Sequence, residues 1–170
     1  MKKTIADLER YKELLWNKRE SVNNSIMNHM FLLDGGEFDF VASVELAEVL
    51  SNKIDLLSYE IEVALFSNST KVDGEDVSLK QIENSLENIK RRLKFFEKYE
   101  DEYLVKRDTA IKANAMTPYI LATSLEHVEK IINSCYEEIY SLSQKLEKEK
   151  ERVKIDVDMK DFVIEDLIVI

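Results

Sequence analysis

The chain has very little of what turn-rich, disulfide-bonded or phosphate-binding folds require. Its 170 residues include three glycines, one proline and one cysteine. Few glycines leave little material for phosphate-cradling loops, and the single Cys135 excludes a disulfide within the chain. No apolar stretch approaches the ~20 residues that span a bilayer, and early charges interrupt any secretory signal. The sequence therefore predicts a cytoplasmic protein without a membrane span.

Negative charge dominates the composition. There are 34 acidic and 24 basic residues, which gives a formal net charge of -10. Such a charge repels nucleic-acid phosphates and the anionic inner face of membranes. With 34% charged and 45% apolar residues, the balance is typical of long helices that can bury a core. We therefore expect an all-α protein with protein partners, rather than one that binds nucleic acid or membranes.

Apolar residues recur at steps of three and four in four segments, which is the spacing of helices with one apolar face and, where the steps alternate, of a coiled-coil seam. The segments run from Thr4 to about Leu33, from Ser43 to Phe66, from Ser78 past Leu104, and from Thr123 to Arg152. The clearest series is Ala47, Leu50, Ile54, Leu57, Ile61 and Ala64. The spacing predicts a single domain over 1–170, in which long antiparallel helices form a four-helix coiled-coil bundle with an apolar tail over 160–170.

Local signals mark the ends of these helices. Three pairs have the spacing of a capping box, in which two side chains each accept a hydrogen bond from the other residue's backbone. They are Thr4–Asp7, Ser78–Gln81 and Thr123–Glu126. The segment from Ser67 to Asp76 has no apolar period and contains Asp73-Gly74, which predicts a turn or short hairpin.

The helical period ends before the C-terminal residues. Val153, Ile155, Val157 and Met159 alternate with charged residues, which is the two-residue period of a half-buried strand. The short run Tyr119–Leu121 offers this strand a partner. The sequence thus adds a small β element, made from 119–121 and 153–159, at one end of the bundle.

Residue patterns for catalysis or metal binding are sparse. No Glu lies three residues before His29, and Glu126 is adjacent to His127, so the Glu-x-x-His motif of di-iron bundles is missing. Cys135 continues an apolar seam, which favours a structural role. Asp73–Asp76 lacks the ligand alternation of a calcium loop and reads as an acidic turn. We expect a protein that is not an enzyme and uses no metal or cofactor.

A basic cluster is the candidate for anion binding. It consists of Lys90, Arg91 and Arg92, with Lys106 and Arg107 as the alternative set. Between subunits, these cations could hold a nucleotide or another small anion. Acidic neighbours at Glu87 and Glu97 favour ion pairing instead. A small-anion or nucleotide-binding module is therefore an alternative function.

Aromatic residues gather near the ends of the first two helices. They are Trp16, Phe31, Phe38, Phe40 and Phe66. Aromatics in such places usually plug the end of a bundle, which is our expectation here, whereas exposed ones would mark a recognition patch.

The apolar C-terminal tail is the candidate interface. The predicted interface residues are Phe162, Val163, Ile164, Leu167, Ile168 and Ile170, with Leu142 and Leu146 next. A partly uncovered seam would be completed by a second copy or another protein through helix-in-groove packing. This favours a non-enzymatic interaction or scaffold protein, with a homo-oligomer expected. The other alternative is an acidic inhibitor or decoy of phage or plasmid origin that binds a basic surface.

Two stretches share their order of features with a known family. In the first, a helical hairpin ends in an Asn-x-Thr turn before a third helix, and the fitting residues are Asn68, Thr70, Gly74, Leu79 and Arg91. In the second, from Tyr119 to Val157, an extended run precedes a capping Thr123, a long helix and a final extended segment. These stretches resemble a family of uncharacterised bacterial coiled-coil proteins. Lys106–Met116 and Phe162–Ile170 depart from it, and the resemblance implies a helical architecture without an established activity.

Overall fold

The part of the chain that the structure describes forms four long helices and two short antiparallel sheets. The computed structural model describes residues 2–29, 38–112, 124–158 and 162. The helices are α1 (Ile5–His29), α2 (Phe40–Ser67), α3 (Leu79–Lys112) and α4 (Leu125–Arg152). The strands are β1 (Lys2–Thr4), β2 (Ser69–Val72), β3 (Glu75–Ser78) and β4 (Lys154–Asp156). The predominantly helical class is confirmed.

The chain divides into two compact units. The first comprises Met1–Ser78 and Lys148–Ile170, and the second is Leu79–Glu147. The first unit contains α1, α2 and both sheets, while α3 and most of α4 form the second. The single domain over 1–170 stays a prediction.

α1 begins at the predicted capping box. The backbone N–H of Asp7 donates to Oγ1 of Thr4 over 3.1 Å, and that of Thr4 donates to Oδ2 of Asp7 over 3.2 Å. Each side chain therefore accepts a hydrogen bond from a backbone N–H at the helix start, where no carbonyl of a preceding turn is present to accept it. The predicted end at Leu33 lies outside the described residues.

Loss of this cap should weaken folding, and part of the effect should depend on pH. Thr4→Ala should lower the free energy of unfolding by about 1 kcal/mol.

The backbone hydrogen bond from Thr4 holds the pKa of Asp7 below its ordinary value of 3.8. The charged carboxylate therefore stabilises the fold above that pH, and this contribution is lost as the pH falls through the lowered pKa. Denaturant titrations in acid should show a shallower pH dependence for Asp7→Asn; an unchanged slope would contradict the role of the carboxylate.

α1 and α2 pack against each other as an antiparallel hairpin. The second half of α1 lies beside the first half of α2, where Asn23 and Ile26 share a groove with Val44. We call the buried apolar row of α2 the inner seam. It consists of Leu50, Ile54, Leu57, Ile61 and Ala64, five of the six residues of the predicted series; the sixth, Ala47, is half-buried. α2 starts three residues before the predicted Ser43 because Oδ1 of Asp39 accepts the N–H of Ala42 over 2.9 Å.

The segment after α2 is the predicted short hairpin. β2 pairs antiparallel with β3, with Val72 opposite Glu75 and Ser69 opposite Ser78. The two turn residues, Asp73 and Gly74, have positive φ angles of 52° and 91°. A two-residue hairpin turn of this hand requires positive φ at both places, which explains the Asp-Gly pair. α3 then starts at Leu79, directly after the predicted cap Ser78.

A strand forms within the predicted range 153–159, and one of its partners is a segment that the sequence did not indicate. β4 pairs antiparallel with β1, and Lys3 lies opposite Ile155. The N–H of Ile5 extends the contact by donating to the carbonyl of Val153 over 3.2 Å. The proposed partner Tyr119–Leu121 lies outside the described residues. Three residues at β1 are too few to show a period, so this long-range pairing had no sequence signal.

α3 and α4 pack through a small apolar core in the second unit. Its buried residues are Leu93, Val128, Ile132 and Cys135, and Ile89, Phe96, Tyr99, Ile131 and Ile139 pack against them. These residues belong to the predicted seams or adjoin them. α4 is capped by Ser124 rather than by the predicted Thr123, since Oγ of Ser124 accepts the N–H of His127 over 3.2 Å. Thr123 itself is outside the described residues.

Candidate interaction surface

The described residues bring no metal ligands together. Among residues 2–29, 38–112, 124–158 and 162, no three His, Cys, Asp or Glu side chains are placed to hold an ion. His29 stacks on Phe38 with ring centroids 4.3 Å apart, and its Nδ1 lies 2.7 Å from the carbonyl of Ser25. Within the same ranges, no helix has the length and hydropathy needed to cross a membrane.

Cys135 is a fully covered side chain in the core between α3 and α4. Nε of Arg92 donates to its sulfur over 3.2 Å, and the guanidinium also lies 3.2 Å from Glu138. The hydrogen bond to the sulfur raises the pKa of Arg92 above its ordinary value. A buried, hydrogen-bonded thiol has the environment of a packing residue.

The predicted anion-binding residues do not converge. Lys90, Arg91 and Arg92 are consecutive on α3, so their side chains leave the helix about 100° apart. Lys106 and Arg107 lie about four turns farther along the helix, roughly 20 Å away. Three of the five cations are in ion pairs: Lys90–Glu87, Arg92–Glu138 and Arg107–Asp108. These cations therefore do not form one site on the chain.

Phe162 is the one residue of the predicted interface tail that the structure describes. Its side chain is 2% exposed, and its carbonyl accepts a hydrogen bond from the Tyr11 hydroxyl over 2.9 Å. Burial raises the pKa of Tyr11. The interface role of the other tail residues stays a prediction, because Val163, Ile164, Leu167, Ile168 and Ile170 lie outside the described residues. Of the next candidates, Leu146 is buried and Leu142 half-buried.

Three of the aromatic side chains expected to plug the bundle are exposed, whereas Phe38 is half-buried. Trp16, Phe40 and Phe66 are 50%, 48% and 60% exposed, and Phe31 is outside the described residues. The expectation was wrong for these three, because each lies away from the buried seam of its helix. Their exposure instead points to apolar surface that is open to another molecule.

Exposed apolar side chains are aligned along α2 on the side away from the inner seam. We call this row the outer stripe. It consists of Val49, Leu56, Tyr59, Val63 and Phe66, which are 42% to 63% exposed. From Leu56 onward the steps are three, four and three, and Asn52 fills the empty place before them. At 3.6 residues per turn the stripe lies roughly 150° around the helix from the inner seam. α2 therefore has two apolar rows with three-four spacing, one buried and one open to solvent.

Acidic residues border the outer stripe. If Val49, Leu56 and Val63 are assigned to position a of a heptad, the flanking g positions are Glu48, Asp55 and Glu62, and the e positions are Lys53, Glu60 and Ser67. Side chains at e and g flank a seam and meet the partner helix. Four of the six flanking residues are acidic and one is basic, so a partner would approach a negatively charged border.

A shallow groove adjoins one side of the outer stripe. Its volume is about 380 Å³, and it is lined from α1 by Arg19, Asn23 and Ile26. From α2 it is lined by Val44, Ala47, Glu48, Ser51 and Asn52. Because Glu48 and Asn52 also border the stripe, the groove extends the same surface toward α1. Its lining contains one cation and one anion, which does not favour a small anion.

The sequence contained a signal for the outer stripe, but our prediction used only one of the two apolar series in α2. The series Leu56, Tyr59, Val63 and Phe66 has the same three-four spacing as the inner seam.

No family model, curated protein or solved structure matches the chain. The resemblance to the bacterial coiled-coil family therefore stays a prediction.

Proposed function

We propose that this chain is a non-enzymatic helical interaction protein, and that it binds a helix of another protein chain along the outer stripe of α2. The observation that carries the proposal is the alignment of five exposed apolar side chains at coiled-coil spacing. Contiguous exposed apolar surface is a usual mark of an interaction site. An amphipathic helix packing its apolar face on such a surface is a common recognition mode.

The apolar contact supports reversible rather than very tight binding. Full burial of a Leu or Val side chain contributes about 1.5–3 kcal/mol. Since the side chains of the outer stripe are already about half covered, the gain on docking is on the order of 1 kcal/mol each. Association itself costs several kcal/mol, about 4 or more. The polar border of the stripe must therefore contribute to the choice of partner.

The proposal includes the architecture expected from the sequence, in which the four helices form one antiparallel coiled-coil bundle. It is supported by the presence of a packed pair of long helices in each unit. It also includes a cytoplasmic location, which is supported by the single cysteine of the chain. The small-anion alternative has less support, because Lys90, Arg92 and Arg107 are each in an ion pair with a carboxylate.

A charge placed in the outer stripe should abolish helix binding and leave the fold intact. The probe is a fluorescent three-heptad peptide with Leu at a and d and Gln at e and g, at a concentration below its self-association. By fluorescence anisotropy, Val63→Glu should bind it at least roughly tenfold more weakly than the wild type, which corresponds to 1.4 kcal/mol.

The matched control is Val105→Glu, the same substitution at a valine of α3 that is 66% exposed. This variant should bind the peptide as the wild type does. Circular dichroism checks that both variants stay helical. A wild type that binds neither this peptide nor its counterpart with Lys at e and g, or equal losses in both variants, would refute the proposed function.

A further inference from the structure

The border of the outer stripe identifies the chemistry of the partner. We infer that the occupant is a basic amphipathic helix of a different protein, with apolar residues at a and d and Lys or Arg at the flanking positions. This inference rests on the proposed function and adds the charge of the partner to it. It follows from comparing the two simplest occupants, a second copy of α2 and a helix of opposite charge.

An antiparallel second copy places like charges together. In that arrangement g positions face g positions across the seam, so Glu48, Asp55 and Glu62 of one copy meet the same acidic row of the other. Only the e row has opposite charges, with Lys53 near Glu60. Like charges juxtaposed at an interface disfavour that partner.

A parallel second copy does not resolve the conflict. Each g position then meets the e position of the next heptad on the other helix. Glu48 would face Lys53, which is favourable, but Asp55 would face Glu60, which is not. Both copies also have a net charge of -10, so they repel each other before contact. The C-terminal tail over 160–170 is no better as an occupant, since it contains three acidic residues and a single lysine.

A basic helix satisfies both features of the surface. Its apolar face covers the outer stripe, and its Lys or Arg side chains meet Glu48, Asp55 and Glu60 in either orientation. The net negative charge of the whole chain attracts such a helix over a distance and raises its association rate. Complementary border charge mainly determines which partner binds. The stripe would thus supply contact, and the acidic border would select a cationic partner.

Three labelled peptides with one Leu seam test the inference; they have Lys, Gln or Glu at all e and g positions. By anisotropy with the full chain, the Lys peptide should bind roughly tenfold or more tightly than the Gln peptide, and the Glu peptide more weakly. The preference of the Lys peptide should shrink as salt is added, since salt screens exposed charges.

A charge-reversed protein makes the test specific to the border. The variant Glu48→Lys, Asp55→Lys, Glu60→Lys should prefer the Glu peptide. The control variant Glu129→Lys, Glu137→Lys, Glu147→Lys has the same net charge, with the changes on exposed positions of α4, and it should keep the preference for Lys. If the border-reversed protein still prefers Lys, the attraction is due to total charge, and the inference fails.

The remaining outcomes separate the inference from the proposed function. Equal affinity for all three peptides would overturn the basic partner and leave helix docking standing. No binding of any peptide would overturn the proposed function as well. Light scattering supplies the last readout: a mass that doubles with concentration, and returns to the monomer in Val63→Glu, would identify a second copy as the occupant and overturn the inference.

Discussion

Leu57→Ala is expected to lower the free energy of unfolding by about 2–5 kcal/mol, whereas Leu56→Ala should change it by about 0.5 kcal/mol or less. The two leucines are neighbours on α2, so the substitution and its local helix propensity are the same. Leu57 is 0% exposed in the inner seam, and Leu56 is 47% exposed in the outer stripe. Truncation of Leu57 therefore leaves a cavity, while truncation of Leu56 mainly removes apolar atoms that already contact water.

Urea unfolding followed by circular dichroism measures both variants against the wild type. The pair is its own control, because any general effect of alanine in α2 acts on both. A loss at Leu56 as large as that at Leu57 would mean that the outer stripe is covered in the isolated protein. That result would contradict the exposure on which the proposed function depends.

The second large effect is expected at the buried ion pair between α1 and the end of α4. Nζ of Lys150 lies 2.7 Å from Oε1 of Glu9, and Lys150 is the one buried charged residue in the described part of the chain. Breaking a buried pair from one side costs about 3–5 kcal/mol. Because the Glu9 side chain is 32% exposed, Glu9→Ala should lose less than this, about 2 kcal/mol.

Substitution of the other partner, Lys150, should lower the free energy of unfolding much less. Lys150→Met removes the buried charge and keeps the packing of the stem, and Glu9 can then be solvated, so the expected loss is below about 1 kcal/mol. The double variant Glu9→Ala, Lys150→Met should recover most of the loss of Glu9→Ala, which a double-mutant cycle measures. If the double variant is as unstable as the sum of the single variants, the two side chains are not coupled.

A matched surface pair tests whether burial is the cause. Nζ of Lys130 also lies 2.7 Å from Oε1 of Glu126, but these side chains are 69% and 75% exposed. Glu126→Ala should lower the free energy of unfolding by about 0.5 kcal/mol or less, since exposed pairs contribute little. A loss equal to that of Glu9→Ala would show that distance rather than burial determines the effect.

The features predicted correctly are those that neighbouring residues decide. The capping box of Thr4 and Asp7 depends on two side chains three residues apart, and the hairpin turn depends on Asp73 and Gly74. Each is a short-range arrangement, so its residues could be read directly from the sequence. The start of α4 shows the limit: both Thr123 and Ser124 can cap a helix, and only the backbone conformation selects Ser124.

Features that depend on distant residues were not predicted. β4 has a strand period, but its partner β1 begins at Lys2, and nothing in either segment identifies the other. The buried Lys150 is similar, because it lies in a run of charged residues that reads as solvated helix. Its burial is decided by the packing of α1 and the end of α4 in the first unit.

α2 shows most clearly what the sequence determines and what the tertiary structure decides. The sequence by itself places two apolar rows on α2, because the three-four spacing is present in both the inner seam and the outer stripe. Tertiary packing decides which row becomes the core: α1 packs against α2, and in the folded chain the inner seam is buried while the outer stripe is exposed. Local spacing states which residues share a face, and packing decides which face is left for a partner.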